Sequence, residues 1–216
     1  ILLLEVYKQI NFAFDYNEGD PIWDYAWYSF PYQFCSMPLY VLPFIAFLNN
    51  GKVRNACIAF MTYFSLIGGI VVFIYPGDVF IQTIGINIQT MVHHGSQLVL
   101  GIYFAVYNRR KFGFKYFLSA IPVFVVLFCG AMLLNFAVHA YFMKNGIGDT
   151  FNMFFVSPYY DCTLPVFSSI YQAVPYPIFL FLYILGMSIG ASLIFGVQFA
   201  ITKAPASINQ RKLKNV

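Results

Sequence analysis

Cys35, in FPYQFCSMPLYVLP (30–43), and the adjacent His93 and His94, in MVHHGSQLVL (91–100), are the residues whose types and setting suit chemistry. A thiol becomes a good nucleophile when a base or its surroundings draw off the proton. Neutral imidazole titrates near neutrality and suits that task. Such a pair would attack an acyl ester, and Tyr32 or the nearby glutamines could donate a hydrogen bond to the developing oxyanion. The same residues admit quieter roles. A polar side chain in a membrane helix often only bonds its neighbour helix, and Tyr32 could be an interfacial anchor. Cys35 could be a small core residue or one half of a disulfide with Cys162. No metal or other cofactor is expected, because adjacent histidines on a regular helix do not easily chelate one ion. Neither an H-x-x-x-H spacing nor an acidic third ligand accompanies them.

The elements that must hold these groups are membrane helices. The chain is 60% hydrophobic and only 9% charged, with a mean hydropathy of +0.71, whereas soluble domains are about 25% charged. Its 26 Phe and 17 Tyr suit lipid-facing and interfacial positions. The net charge of +4 comes without any basic, aromatic-interleaved patch, so no nucleic-acid partner is expected. Spanning takes about 20 apolar residues, and residues 31–48, 55–75, 86–108, 116–142 and 175–202 qualify. Residues 1–13 read as the second half of a further helix, truncated here. Pro122 and Gly130 predict tilt or a kink in the 116–142 span. The expected fold is all-α: one polytopic transmembrane bundle of six or seven helices, with 203–216 as a basic tail.

Basic residues set the orientation. Lys52, Arg54, Arg109, Arg110, Lys111, Lys115, Lys203, Arg211, Lys212 and Lys214 are ten of the twelve, and alternate connections place them on one side. Asp15, Glu18, Asp20, Asp24, Asp78, Asp149 and Asp161 face the other way with Lys144. The basic side is expected to be cytoplasmic, leaving 144–174 and the acidic 14–30 segment outside a cell membrane. Between about residues 25 and 202 no charged residue falls inside a span, which argues against an ion pump built on buried carboxylates or a paired-carboxylate hydrolase.

This topology puts His93, His94, His139, Cys35 and Cys162 toward the outer leaflet, with Cys57 and Cys129 away from that layer. Gln89, Thr90, His93, His94 and Gln97 fall at helical spacings that make one polar ridge. Asn135 and His139 make a second i, i+4 pair, so the two ridges could meet across a shared cavity. Tyr32, three residues before Cys35, is expected on the same helix face.

The segment FPYQFCSMPLYVLP resembles the L-P-L-H-L-C-S helix of bacterial YwaF-like membrane proteins, which are related to transmembrane protein 164. QTMVHHGSQLVL (89–100) resembles that family's helix with a Ser-His-Gly step, and NFAVHAYFMKNGIGDTFNMFFVSP (135–158) resembles its Asn-containing helix and following Asn-aromatic-Pro loop. The resemblance covers most of residues 30–200. It implies a bundle of six or seven helices, and it extends to intramembrane hydrolases that pair a nucleophile with a histidine. The transmembrane protein 164 branch is regarded as acting in phospholipid acyl transfer through a cysteine. Carried over by position, the nucleophile is Cys35 and the base is His94, the histidine followed by Gly95. His93 has no counterpart and becomes an orienting partner, and Gln33 stands where the bacterial motif has His. Gln33, Tyr32, Gln97, Asn135 and His139 are the supporting candidates.

The reading that results is an intramembrane lipid acyltransferase or hydrolase, with membrane lipid as its partner. The alternative is a non-enzymatic membrane subunit that binds a small ligand or docks a partner membrane protein, as in transport or assembly. A channel is disfavoured, because there is no ring of charge and no filter-like glycine run.

Overall fold

The computed structural model describes residues 1–15, 20–77, 79–109 and 113–214, with side chains through residue 202. Glu18, Asp78, Arg110 and Lys111 lie outside the described residues, as do the side chains of Lys203, Arg211, Lys212 and Lys214. The described chain is all-α apart from one short hairpin. Helix α1 (Leu2–Asn11) leads to strands β1 (Phe14–Asp15) and β2 (Ile22–Trp23), which pair antiparallel with Phe14 opposite Trp23. Then come α2 (Met37–Phe47), α3 (Lys52–Phe60), a π-helical turn (Met61–Ser65), α4 (Leu66–Ile74) and α5 (Ile84–Tyr107). The chain closes with α6 (Phe114–Leu118), α7 (Ala120–Asn145), α8 (Phe167–Ala173) and α9 (Tyr176–Lys214).

Three helical stretches are long and apolar enough to cross a membrane: Lys52–Ile74, Phe114–Asn145 and Tyr176–Thr202. Helix α5 has 24 residues, but its polar ridge lowers its apolar average. On α9 the exposed side chains Phe181, Leu185, Ile189, Leu193, Val197 and Ile201 recur every four residues. That stripe suits lipid rather than water.

Two local departures from the expected spans have covalent causes. The stretch expected to be helical from residue 31 begins instead as a 3-10 turn (Phe34–Ser36), and α2 starts at Met37. Pro38 sits in the first turn of α2, where its missing N–H costs nothing. Tyr32 therefore lies before the helical path that bears Cys35, and the helix face it was expected to share with Cys35 does not exist. In the 114–145 stretch the α-helical path is interrupted at Ser119, just after Leu118, whose carbonyl the Pro122 ring would crowd at i−4. At the far end Gly146 adopts φ +65° and stops α7, a left-handed cap that glycine takes at no steric cost.

The core is aromatic. Phe64 stacks on both Phe60 (5.8 Å, 9°) and Phe124 (4.8 Å, 12°), and Phe34 meets Phe60, Phe124 and Phe154 edge-on. Helices α4 and α5 pack closely because glycines face the contact. A β-carbon on Gly101 would lie 2.8 Å from Leu66 Cβ, and one on Gly69 would lie 3.1 Å from Gln97 Cβ.

Candidate functional site

Residues 33–35 each turn to a different neighbour, as a 3-10 turn allows. Gln33 donates to the carbonyl of Asn152 (2.9 Å) and accepts from the Phe154 N–H (2.9 Å). The Phe34 ring fills the aromatic core against Gly68, where a β-carbon would lie 3.0 Å from it. Cys35 offers its carbonyl to α5: His93 Nε2 donates to it at 2.8 Å, and Gln97 Nε2 donates to the same oxygen. The imidazole resting on the cysteine's backbone is thus that of His93.

These contacts also decide the tautomers. A carbonyl only accepts, so His93 carries its proton on Nε2 and Nδ1 keeps a lone pair. His94 Nδ1 donates to the Thr90 carbonyl at 2.8 Å, which leaves Nε2 with the lone pair. Both basic nitrogens, with Gln97 Oε1, are buried and have no hydrogen-bond partner. The two rings lie 5.2 Å apart. Orphaned buried acceptors are uncommon and call for an explanation.

One acid lies at this site, from outside the 25–202 stretch whose spans hold no charge. Glu5, on α1, is buried. Its Oε1 accepts from Lys8 Nζ (3.2 Å) and Gln9 Nε2 (2.8 Å), and its Oε2 accepts from Gln89 Nε2 (3.0 Å). Tyr25 donates to Gln9 Oε1 (2.6 Å), and Gln9 Nε2 also donates to the Ser29 carbonyl (3.0 Å). Gln89, His93 and Gln97 thus form one row: the first holds α1, the next two hold Cys35. The sequence carried a signal for Glu5, as the lone acid of an apolar segment with Lys8 at i+3.

The described residues contain no group of three His, Cys, Asp or Glu side chains fit to hold a metal ion. All four cysteines are free thiols. A family model described as the TMEM164 family matches residues 1–196. The chain belongs to the TMEM164 family. No curated protein and no solved structure matches it. Membership, with the three long apolar helices, makes it an integral membrane protein.

The remaining candidates of this TMEM164-family chain are held away from Cys35. Asn135, fully buried on α7, donates to the Met153 carbonyl (3.0 Å) and accepts from the Met153 N–H (2.7 Å). It grips the residue between the two that Gln33 grips. Together the two amides hold a turn in which Phe154 and Phe155 both adopt φ +58°, a left-handed conformation costly for bulky residues. His139 stacks on Tyr159 at 3.5 Å, 9°. The Asn135/His139 ridge therefore meets the loop after α7, not the α5 ridge. Tyr32 donates to the Leu127 carbonyl at 3.4 Å, with its hydroxyl over Gly130, so it is a packing residue between segments.

The same loop is pinned at Asp149, whose carboxylate accepts from the backbone N–H groups of Trp27 (3.0 Å) and Thr150 (2.6 Å). Tyr160 donates to the Asp149 carbonyl (3.0 Å). Burial first, and the Asp149 charge second, push the phenols of Tyr28 and Tyr160 above the usual tyrosine range.

Proposed function

We propose that this chain transfers or hydrolyses acyl groups of membrane lipids, with Cys35 as nucleophile and His94 as base. One observation carries the reading: two adjacent buried imidazoles each have an unpartnered ring nitrogen, and one of them, His93, rests on the carbonyl of Cys35. His94 is the base in this reading, because His93 is engaged with the Cys35 carbonyl, whereas His94 is held only by its own helix at Thr90 and its Nε2 has no partner. An oriented imidazole with one free basic nitrogen is what thiol activation requires. His93 and Gln97 hold the Cys35 backbone and so position the thiol.

The chemistry balances without a cofactor. His94 Nε2 takes the thiol proton, and sulfur adds to the ester carbonyl. The ester C–O bond then breaks, with the proton passing to the departing alkoxide. The thioester left on Cys35 is attacked by a lysolipid hydroxyl or by water, whose proton passes to His94. The S–C bond breaks, and the proton returns to sulfur. The basic loops and the C-terminal tail are cytoplasmic in this reading, and the site opens toward the outer leaflet.

The test is trapping by a lipid-like thiol-reactive probe, followed by intact mass, together with an acyl-transfer assay in vesicles. In a chain whose Cys57, Cys129 and Cys162 are replaced by alanine, Cys35→Ser should lose both labelling and transfer. His94→Ala should lose transfer by about 10²-fold or more, the usual contribution of a general base. Full labelling or retained transfer in Cys35→Ser would favour a non-enzymatic subunit instead.

A further inference from the structure

The acyl-transfer reading leaves α1 and the hairpin without a task, yet between them they form a groove of about 420 Å³. Leu2, Val6 and Ile10, at i, i+4 and i+8 on α1, make one side, and Trp23 and Tyr25 make the other. Leu2, Val6, Ile10 and Trp23 are each more than half exposed. In an integral membrane protein an exposed apolar stripe of this kind faces lipid. Glu5, Gln9 and Tyr25 also line the groove, but they spend their polar atoms on one another and on Lys8, Gln89 and the Ser29 carbonyl. What they offer an occupant is hydrocarbon stem and ring.

Its dimensions and charge narrow the occupant further. From Leu2 to Ala13 the groove runs about 16 Å at the helical rise, so its mean cross-section is about 25 Å². That is a third or less of the cross-section of an α-helix, whose diameter with side chains is about 10 Å or more. A helix from a second copy does not fit; a single polymethylene chain does. At the hairpin end the Asp24 N–H donates to the Ala13 carbonyl (3.1 Å), and Asp15 pairs with Ile22. Lys8, the one basic residue of α1, is tied to Glu5 at 3.2 Å and does not line the groove. Carboxylates beside the aromatic rings of Trp23 and Tyr25 favour an ammonium at that end and oppose a net negative charge.

We propose that this groove is a lipid-binding site. One linear acyl chain lies along α1 between Leu2 and Trp23, and the headgroup at the Asp15/Asp24 end is zwitterionic, with an ammonium, rather than anionic. A chain lodged there covers Leu2, Val6, Ile10 and Trp23 together and so braces the hairpin on α1. The site uses neither Cys35 nor the histidines and is independent of the acyl-transfer reading.

The experiment photo-crosslinks the full chain in detergent micelles with a phosphatidylcholine that carries a diazirine midway along one acyl chain. The label is mapped by peptide mass spectrometry. Label on residues 2–25 should saturate as the probe is raised, whereas label on the exposed α9 stripe at Phe181, Leu185 and Ile189 should rise in proportion to it. Val6→Trp fills the groove from an exposed position and should cut the 2–25 label several-fold while sparing α9. Unlabelled phosphatidylcholine should compete for the site. Phosphatidylglycerol should compete about fivefold less well, the order expected for one unit charge at a membrane surface. Label on 2–25 that never saturates marks bulk lipid and overturns the proposal, as does equal competition by the two lipids or full 2–25 label in a folded Val6→Trp chain. If Val6→Trp does not fold, saturation and competition in the parent chain decide alone. Cys35→Ser should label like the parent, so failure of the acyl-transfer reading leaves this result to stand or fall separately.

Discussion

The carbonyl oxygen of Cys35 accepts from His93 Nε2 at 2.8 Å and from the Gln97 amide, two residues one helical turn apart on α5. The cysteine is thus fixed through its backbone by one face of the histidine helix. Removing either donor alone still leaves the carbonyl one partner.

His93→Ala or Gln97→Ala should each cost about 1 kcal/mol of stability, the net worth of one hydrogen bond. The double variant should cost more than the sum, because a buried carbonyl is then orphaned. Thermal unfolding in detergent across this double-mutant cycle measures the coupling. Strict additivity would mean the two donors do not share the oxygen.

The outer turn depends on its two amide clamps. Asn135→Ala strands the Met153 N–H and leaves its carbonyl only the 3.4 Å bond from the Val156 N–H, so it should destabilise by about 1–3 kcal/mol, the cost of one buried group left unpaired. Gln33→Ala should act in the same direction through Asn152 and Phe154. Limited proteolysis should show cleavage within 149–161 in both variants before the rest of the bundle is cut.

Glycines on α5 should differ sharply. Gly101→Ala drives a β-carbon into Leu66, and overpacking of that kind costs about 1–3 kcal/mol. Nothing lies within 4 Å of a β-carbon built on Gly95, and helical alanine exceeds glycine by about 0.5–1 kcal/mol. Gly95→Ala should therefore raise the melting temperature and Gly101→Ala lower it, in parallel scans.

High pH should loosen the junction at Asp149. Tyr28 and Tyr160 are held neutral, chiefly by burial and then by Asp149. A group whose folded pKa is raised contributes fully below its unfolded value, about 10 for tyrosine, and that contribution is lost as pH rises through the folded value. Stability should thus fall only above about pH 10. Asp149→Asn removes the repulsion, so these phenols should ionise at lower pH. Tyrosinate absorbance, taken as a difference against Tyr28→Phe and Tyr160→Phe, measures the shift.

Much of the architecture follows from the amino-acid pattern alone. Long apolar runs with few charges define helices for lipid, and the spacing of Gln89, His93 and Gln97 predicts a single polar row before any coordinates are consulted. Pro122 and Gly146 mark a helix break and a helix end by covalent geometry. What periodicity cannot supply is the azimuth of one helix relative to another, or the path of a loop. Only the packed bundle decided that His93 rather than His94 rests on Cys35. It also decided that Glu5 of α1 turns inward, and that Asn135 and Gln33 grip a buried turn instead of sharing a cavity with the histidines. Those outcomes depend on pairings between residues about 20 to 120 positions apart, settled when buried donors and acceptors must all find partners at once.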